Sequence, residues 1–191
     1  KLINKKKYDL VFNQKNINKN IIAVGSFLHS AKNNYYIYGT GLRTNPPIEG
    51  PQSYTHLNIS ACRGPKTYDF LKNTKKQKCP DVFSNPALLL KELYTPKKIE
   101  HLTNKIGIVP HKSNYKHYKN LNLPSNYHII NPRDLWSNVV NQIYSCKTII
   151  SSSLHGLIIS DTYSKPNIML YEIKLNEGTF KFTDYYESQK R

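Results

Sequence analysis

The sequence predicts an α/β protein in which parallel β-sheets are flanked by helices. Short β-branched or aromatic apolar runs alternate along the chain with stretches whose apolar residues recur at helical spacing. Turn-forming glycine, proline and serine follow the ends of several of those runs. The chain has 191 residues and 38% hydrophobic content, enough to bury a core as one domain or as two small ones. This alternation is typical of Rossmann-like units, where ligands bind beyond the carboxyl ends of the strands.

Three buried strands and one helix are predicted in the N-terminal half. The strands are residues 21–24, 35–38 and 57–61. A helix is expected after Arg63-Gly64-Pro65 to about residue 73, because proline is favoured at an early helical position. Residues 97–104 are polar and follow a proline, which indicates a passage between two domains. We therefore predict one domain over residues 1–98 and a second over residues 99–191.

The C-terminal half is predicted to hold four strands and two helices. The strands are residues 106–109, 127–130, 147–150 and 167–173. The first helix spans residues 132–146, where apolar side chains recur at helical spacing and place Trp136 in the core. The second begins at Ser152 and ends before Pro166.

The positive charge of the chain does not indicate nucleic-acid binding. The formal net charge is +16, but the lysines are scattered along the chain. Lysine, asparagine, isoleucine and tyrosine are all abundant, which is the bias that an AT-rich genome produces without selection for DNA binding. We find no nucleic-acid-binding motif and expect no nucleic-acid partner. A diffuse positive field would instead attract anionic substrates.

The apolar runs, the first residues and the cysteines of the chain bear on the cellular compartment that we expect for it. No apolar run approaches the roughly 20 residues that a membrane-spanning helix needs, and the lysine-rich first seven residues are not followed by an apolar signal core. The chain does not begin with methionine, so an upstream segment, including a secretion signal, stays an open alternative. The three cysteines form no Cys-x-x-Cys pair, which favours a reducing compartment, and we expect a cytoplasmic protein without a metal site.

Residues 151–166 carry the strongest local signal for chemistry. A β-branched run leads into three serines and then into an apolar helix that has His155 in its first turn. The first amides of a helix lack intrahelical acceptors, and Ser152 or Ser153 is expected to cap them. Such a helix start binds anions, and a bound anion stabilises a protonated histidine. The alternative interpretation is a capped, solvated helix end.

The same segment resembles the Ser/Arg-x-His-Gly signature of the polysaccharide pyruvyl transferase family. Other blocks of that family have similar counterparts in the same order from about Ile21 to Tyr186. These are the glycine-serine loop with Gly25 and Ser26, the turn Tyr38-Gly39-Thr40-Gly41-Leu42, Arg63-Gly64-Pro65, and residues 86–90, 106–111 and 180–186.

The resemblance implies a fold and a reaction. The fold would be a GT-B-like pair of Rossmann-like domains with the active site between them, and residues 99–191 would bind the donor. The first domain would be incomplete, because the family's Asn-x-Gly-Asp block has no counterpart before Ile21. The reaction would move an enolpyruvyl group from phosphoenolpyruvate onto a sugar of a glycan as a pyruvate ketal. It needs an acid and cations, and no cofactor.

The candidate residues follow from this reaction. His155 is the candidate acid, and Arg63 suits the donor's carboxylate or phosphate because guanidinium offers paired N–H groups. Lys181 would point into the cleft if residues 180–182 are extended. Arg63 as a solvated helix-start residue and Lys181 on the wet face of a strand are the alternatives. The expected substrate-binding residues are Ser152, Ser153, Leu154, Gly25, Ser26, Gly39, Gly41 and His111.

Two departures from the family pattern leave other functions open. Ser84-Asn85-Pro86 stands where Gly-Asp-Pro is expected, and Ser153 stands where many members have arginine. One alternative is a GT-B-like glycosyltransferase that uses a nucleotide sugar. Another is a glycan-binding protein without catalytic activity.

Overall fold

A computed structural model describes residues 20–44, 54–172 and 178–191, and these form an α/β protein with two parallel sheets. The first sheet has the order β1-β2-β3. Its strands are β1 (Ile21–Ile22), β2 (Tyr36–Tyr38) and β3 (Asn58–Ala61), all parallel.

The second sheet has four parallel strands in the order β5-β4-β6-β7. They are β4 (Ile106–Val109), β5 (Tyr127–Ile129), β6 (Thr148–Ser151) and β7 (Asn167–Met169). The chain moves from β4 to one side and then returns past it to β6 and β7. The carboxyl ends of β4 and β6 therefore form a topological switch point, the place where open α/β sheets bind ligands.

Five α-helices connect and cover the strands in the described ranges. They are α1 (Pro65–Asp69), α2 (Tyr115–Lys119), α3 (Trp136–Ser145), α4 (Leu154–Thr162) and α5 (Phe180–Ser188). Helix α1 continues as a π-helical turn, Phe70–Thr74, and 3₁₀ helices span Leu28–Ser30, Pro86–Glu92 and Glu100–Leu102. In the described ranges we find no helix with the length and apolar character that crossing a membrane requires.

Three apolar clusters form the core, and the third positions the site. One lies around the first sheet and includes Leu28 and Ile37, and one lies around the second and includes Ile143 and Ile149. The third joins α4 to α5 through five buried side chains, Leu154, Leu157, Ile158, Phe182 and Tyr185. Helix α5 also contacts α1, which follows the first sheet. The last helix therefore packs against elements of both halves of the chain.

The predicted class, parallel sheets flanked by helices, is confirmed, and all seven predicted strands are present with slightly different ends. Residue 173 of the last predicted strand lies outside the described residues. Two predictions are wrong. Residues 180–182 begin a helix instead of an extended segment, and Trp136 is 59% exposed at the start of α3 instead of buried. The GT-B-like arrangement and the domain boundary after residue 98 stay predictions.

Helix α5 packs so closely against Gly64, the residue before α1, that we expect no larger residue to fit at this position. Gly64 has an extended backbone that any residue adopts, but an added Cβ would lie 1.8 Å from the carbonyl oxygen of Asp184. We expect Gly64→Ala to lower the free energy of unfolding by about 3 kcal/mol, measured by urea denaturation, because two backbones must separate.

Gly178→Ala is the matched control. Gly178 has a left-handed φ of +57°, but its Cβ would meet nothing within 4 Å. We expect a cost of about 1 kcal/mol from the backbone conformation alone. Equal costs at the two positions would contradict the packing of α5 described above.

Candidate active site

The turn between β6 and α4 lies at the switch point of the second sheet. Ser153 occupies the cap position of α4, but neither Ser152 nor Ser153 makes a side-chain capping bond, so that prediction is wrong. The hydroxyl of Ser151 shapes the turn instead. It accepts from the amide of Ser153 (3.0 Å) and lies 2.8 Å and 2.9 Å from the carbonyl oxygens of Ser153 and Val109. The cap position therefore leaves the first amides of α4 without a side-chain acceptor.

Ser152 is held by groups that lie just beyond the carboxyl ends of the neighbouring strands β4 and β7. Its buried hydroxyl accepts from the backbone amide of His111 (2.8 Å) and donates to the carboxylate of Glu172, to which Asn114 also donates. A hydroxyl has one proton, so Ser152 cannot donate to a ligand while it donates to Glu172. The contact of His111 with the site is therefore made by its backbone amide. Its imidazole Nδ1 lies 2.7 Å from the hydroxyl of Ser113.

Glu172 is a site residue that the sequence analysis missed. It lies three residues after the end of β7 and links the loops that follow β4 and β6. The available signal was its place beyond the carboxyl end of a parallel strand, the edge at which all the other candidates were sought.

The first turn of α4 presents unsatisfied polar groups. In the described part of the chain, no acceptor contacts the amides of Leu154, His155 and Gly156, and the amide of Leu157 reaches the carbonyl oxygen of Ser153 only at 3.4 Å. The Nε2 atom of His155 is buried and also has no partner among the described residues. Buried polar atoms are almost always hydrogen-bonded, so an unpartnered imidazole nitrogen in the same turn as free helix amides indicates a candidate ligand site.

The charges near His155 decide its protonation state. Burial, and then the positive charges of Arg63 and Lys181, lower the pKa of His155 to about 4. The imidazole of the unliganded protein is therefore neutral at pH 7. All three predicted catalytic residues are close enough to interact electrostatically, although they come from the end of β3, the start of α4 and the start of α5.

Arg63 is buried and bonded to protein groups. Its Nε and Nη2 atoms both lie 2.9 Å from Asp184 Oδ2, and Nη1 donates to Ser26 (2.7 Å) and Nη2 to the carbonyl oxygen of Leu42 (2.5 Å). Thr67 adds two hydrogen bonds to the same carboxylate, 3.0 Å from its amide and 2.7 Å from its hydroxyl. Burial lowers the pKa of Arg63, and Asp184 opposes that effect. The alternative of a solvated arginine is wrong.

The glycine-containing loops surround Arg63. The carbonyl oxygen of Gly25 accepts from the Thr40 hydroxyl (2.8 Å) and from the Gly41 amide (3.2 Å). A Cβ on Gly41 would lie 2.5 Å from the guanidinium carbon of Arg63. Gly39 has a left-handed φ of +82°, and a Cβ on it would lie 2.4 Å from the carbonyl oxygen of Ser84. In this structure these loops hold the guanidinium, and contact between Gly25, Ser26, Gly39 or Gly41 and a substrate stays a prediction.

Lys181 lies in the first turn of α5 and is 6% exposed, so the wet-face alternative is wrong. Its Nζ is 5.2 Å from the ring centroid of Phe182. Leu154 is also buried, whereas Ser153 and His155 keep partial exposure. A ligand would therefore reach this site past Ser153 and His155.

Other parts of the described chain offer less chemistry. A surface pocket of about 380 Å³ lies beside α1 and is lined by none of the predicted site residues; Lys66, Asp69, Phe70, Asn73, Thr74 and Phe180 line it. Within residues 20–44, 54–172 and 178–191, no three His, Cys, Asp or Glu side chains are grouped to hold a metal ion.

The lowered pKa of His155 predicts a loss of stability in acid. Between its ordinary value of 6.5 and about 4, the unfolded chain binds a proton that the folded protein excludes, so stability falls as the pH drops through this window. We expect His155→Gln to reduce the loss of unfolding free energy between pH 7 and pH 5 by about 2 kcal/mol, measured by urea denaturation at both pH values. An identical loss in the variant and the wild type would contradict the burial of a neutral imidazole.

Comparison with known proteins gives this geometry a context. A family model for polysaccharide pyruvyl transferase matches residues 1–172. An uncharacterized protein of Acanthamoeba polyphaga mimivirus is 28% identical over 177 residues, which cover 89% of this chain and 60% of that protein. The chain thus spans about 60% of the length of this curated relative, and no solved structure matches it. The family match includes the β6–α4 turn with His155 and the Arg63 turn, and the chain belongs to the polysaccharide pyruvyl transferase family.

Proposed function

We propose that the chain binds phosphoenolpyruvate at the first turn of α4 and transfers its pyruvyl group to a sugar of a glycan as a ketal. The observation that carries the proposal is that His155, whose Nε2 is buried and unpartnered, lies in the same helical turn as three amides that have no acceptor in the described chain. A small dianionic donor satisfies the amides and supplies a partner for the imidazole at once.

The anionic groups of the donor have identifiable ligands. The amides of Leu154, His155 and Gly156 point out of the helix start, where the helix dipole favours negative charge. The hydroxyl of Ser153 has no partner in the described residues and is partly exposed, so it replaces Ser152 as the serine that donates. Lys181 adds a positive charge from α5.

Arg63 takes a different role from the one its sequence suggested. Its hydrogen bonds to Asp184, Ser26 and Leu42 fix the guanidinium in the protein interior. We assign it as a positioning residue that contributes charge to the site and holds α5, and therefore Lys181, beside His155. Direct contact between Arg63 and the donor is not needed.

Binding of the donor would convert His155 from the neutral to the protonated form. Two cations and burial keep His155 neutral, and a bound dianion offsets those cations and raises the pKa of His155. The imidazolium then gives its proton to the methylene carbon of the donor, which becomes a methyl group, and an oxocarbenium forms at the adjacent carbon. Two sugar hydroxyls add to that carbon and the bond to the phosphate oxygen breaks. One hydroxyl proton restores the imidazolium and the other leaves with the phosphate.

An assay with two readouts tests the proposal. The protein is incubated with phosphoenolpyruvate and a panel of glycans, and phosphate release is measured together with the mass of the glycan. We expect saturable phosphate release matched by incorporation of pyruvate into the glycan. Saturable binding of nucleotide sugars alone, seen by calorimetry, would favour a glycosyltransferase instead.

The non-catalytic alternative has one structural observation in its favour. Arg63, Leu154 and Lys181 are buried, which leaves Ser153 and His155 as the partly exposed residues through which a donor would enter. A protein that only binds glycans would show tight glycan binding, no phosphate release and no effect of phosphoenolpyruvate on its thermal unfolding. A rise in the unfolding temperature with phosphoenolpyruvate would contradict that alternative.

A further inference from the structure

Two of the most exposed apolar side chains in the described part of the chain are neighbours at the start of α3. Leu135 is 69% exposed and Trp136 is 59% exposed. Single apolar residues at a protein surface are ordinary, but an indole ring next to a leucine, both open to solvent, is typical of a binding surface.

The indole of Trp136 is held in place by its neighbours. Its ring packs edge-on against the ring of Tyr94, with 4.8 Å between the centroids. Tyr94 is fixed from two sides, because its hydroxyl donates to Asn141 (2.9 Å) and its carbonyl oxygen accepts from the hydroxyl of Tyr163 (2.9 Å). Binding of a partner to the indole would therefore cost little side-chain entropy.

Polar groups of both kinds lie next to these apolar side chains. Arg133 is exposed, and among the described residues its guanidinium has one partner, the carbonyl oxygen of Lys112 (3.3 Å). Asp134 is also exposed. Its Oδ1 atom accepts from the amide of Leu135 (2.7 Å) and from Asn138 (3.3 Å), and its Oδ2 atom is bonded to no described residue. Several N–H donors and one carboxylate oxygen are thus left for a ligand.

The start of α3 lies at the same edge of the second sheet as the start of α4. Each of these helices follows a parallel strand, so each begins at the carboxyl edge, and the two helices contact each other. Hydrogen bonds also link the two starts, because Arg133 donates to Lys112 and the amide of the preceding residue, His111, donates to Ser152 (2.8 Å). Packed helices lie about 8–10 Å apart, a separation that one oligosaccharide spans.

We propose that Arg133, Asp134, Leu135 and Trp136, together called the α3 surface, bind an uncharged sugar unit of the glycan acceptor. This unit would be distinct from the one that receives the pyruvyl group. The inference rests on the proposed function only in taking a glycan as the acceptor, which fits the match to the polysaccharide pyruvyl transferase family.

The chemistry of a sugar ring fits the α3 surface better than an apolar partner does. The C–H groups on one face of a pyranose pack on the flat face of an indole, and the hydroxyls at its edge both donate and accept hydrogen bonds. Arg133 supplies donors and Asp134 supplies an acceptor beside the ring of Trp136. A purely apolar partner would cover these two polar side chains without satisfying them.

Fluorescence tests this inference directly, because Trp136 is the only tryptophan in the sequence. The wild-type protein is titrated with oligosaccharides of glucose, galactose and mannose, from disaccharides to hexasaccharides, and its emission is measured with and without acrylamide as a quencher. We expect saturable binding of at least one series, with emission shifted to shorter wavelength and Trp136 protected from acrylamide. The longer members should bind more tightly, because they also reach the first turn of α4.

Variants locate the sugar on α3. Trp136→Ala should weaken the binding of the same oligosaccharide about tenfold in calorimetry, and Trp136→Phe, which keeps an aromatic ring, should weaken it less. Tyr144→Ala is the matched control, because Tyr144 is an exposed aromatic residue in the last turn of the same helix. It should keep the wild-type affinity within about twofold. Circular dichroism confirms that each variant is folded.

Four results would overturn the inference. They are no binding of any oligosaccharide in the panel, quenching of Trp136 that a saturating oligosaccharide leaves unchanged, an equal loss of affinity in Tyr144→Ala, and an emission change that follows protein concentration because dimers form in ultracentrifugation. Phosphate release tests the proposed function separately. Protection of Trp136 without phosphate release would contradict the reaction and support the α3 surface, whereas pyruvyl transfer with a fully quenchable Trp136 would contradict the α3 surface alone.

Discussion

If the proposed reaction is right, replacing His155 with alanine should lower the rate of phosphate release from phosphoenolpyruvate by about 10²–10⁴, the usual contribution of a positioned acid. The loss is expected because, within the described residues, His155 has a buried ring nitrogen without a protein partner and lies in the helical turn whose amides have no acceptor. The fold should survive, since that nitrogen makes no hydrogen bond that the variant would lose. The rate is measured under saturating donor and glycan, with circular dichroism to confirm folding.

A second histidine supplies the control for this experiment. His56 is exposed and lies in the first half of the chain, so His56→Ala should keep the wild-type rate within about twofold. His155→Gln keeps a polar side chain of similar size but cannot supply the proton, and it should be as slow as His155→Ala. An unchanged rate in folded His155→Ala protein would contradict the assignment of the acid.

Breaking the buried pair of Arg63 and Asp184 should cause the largest loss of stability, about 3–5 kcal/mol for Arg63→Ala. Both side chains are fully buried, and the arginine is the charged partner of a carboxylate that also accepts from Thr67. Removal of the guanidinium leaves that carboxylate in the interior without its counter-charge. At about 2–4 °C for each kcal/mol in a chain of this size, the thermal midpoint should fall by roughly 10 °C.

The ion pair of Lys66 and Glu187 is a matched control, because it joins α1 to the same helix, α5, but at the surface. Its atoms are 3.1 Å apart and its side chains are 37% and 46% exposed. Lys66→Ala should therefore cost no more than about 1 kcal/mol. In the double variant Arg63→Met with Asp184→Leu, part of the lost stability should return, because no charge stays buried. Equal small losses for Arg63→Ala and Lys66→Ala would contradict the buried pair.

The strands of this fold could be predicted from sequence because each is a short β-branched or aromatic run bounded by turn residues. Helix α5 could not. Phe180 and Phe182 flank Lys181 and give a local period of two, which is typical of a strand. The helix buries polar and charged residues, including Lys181 and Asp184, and Asp184 is buried because it pairs with Arg63, 121 positions away. The spacing of apolar residues around Asp184 does not reveal a partner that is so distant in sequence.

The candidate site was predicted in part for a similar reason. The start of α4 follows a strand, so parallel-sheet topology alone places His155 at the switch point. The roles of the serines could not be predicted, because they depend on which strand ends become neighbours. Ser152 donates to Glu172, and Ser151 bonds the turn. Trp136 was placed in the core by its spacing, but α3 begins at this residue, and its ring stacks edge-on against Tyr94 at the surface.

The central claim is that the first turn of α4 binds the donor, and a crystal structure of the protein grown with phosphoenolpyruvate tests it most directly. We predict density for the donor with an anionic group within hydrogen-bonding distance of the amides of Leu154, His155 and Gly156, and with Nε2 of His155 facing its methylene carbon. Donor density at any other place, with the first turn of α4 empty at a concentration that saturates the protein in solution, would contradict the account.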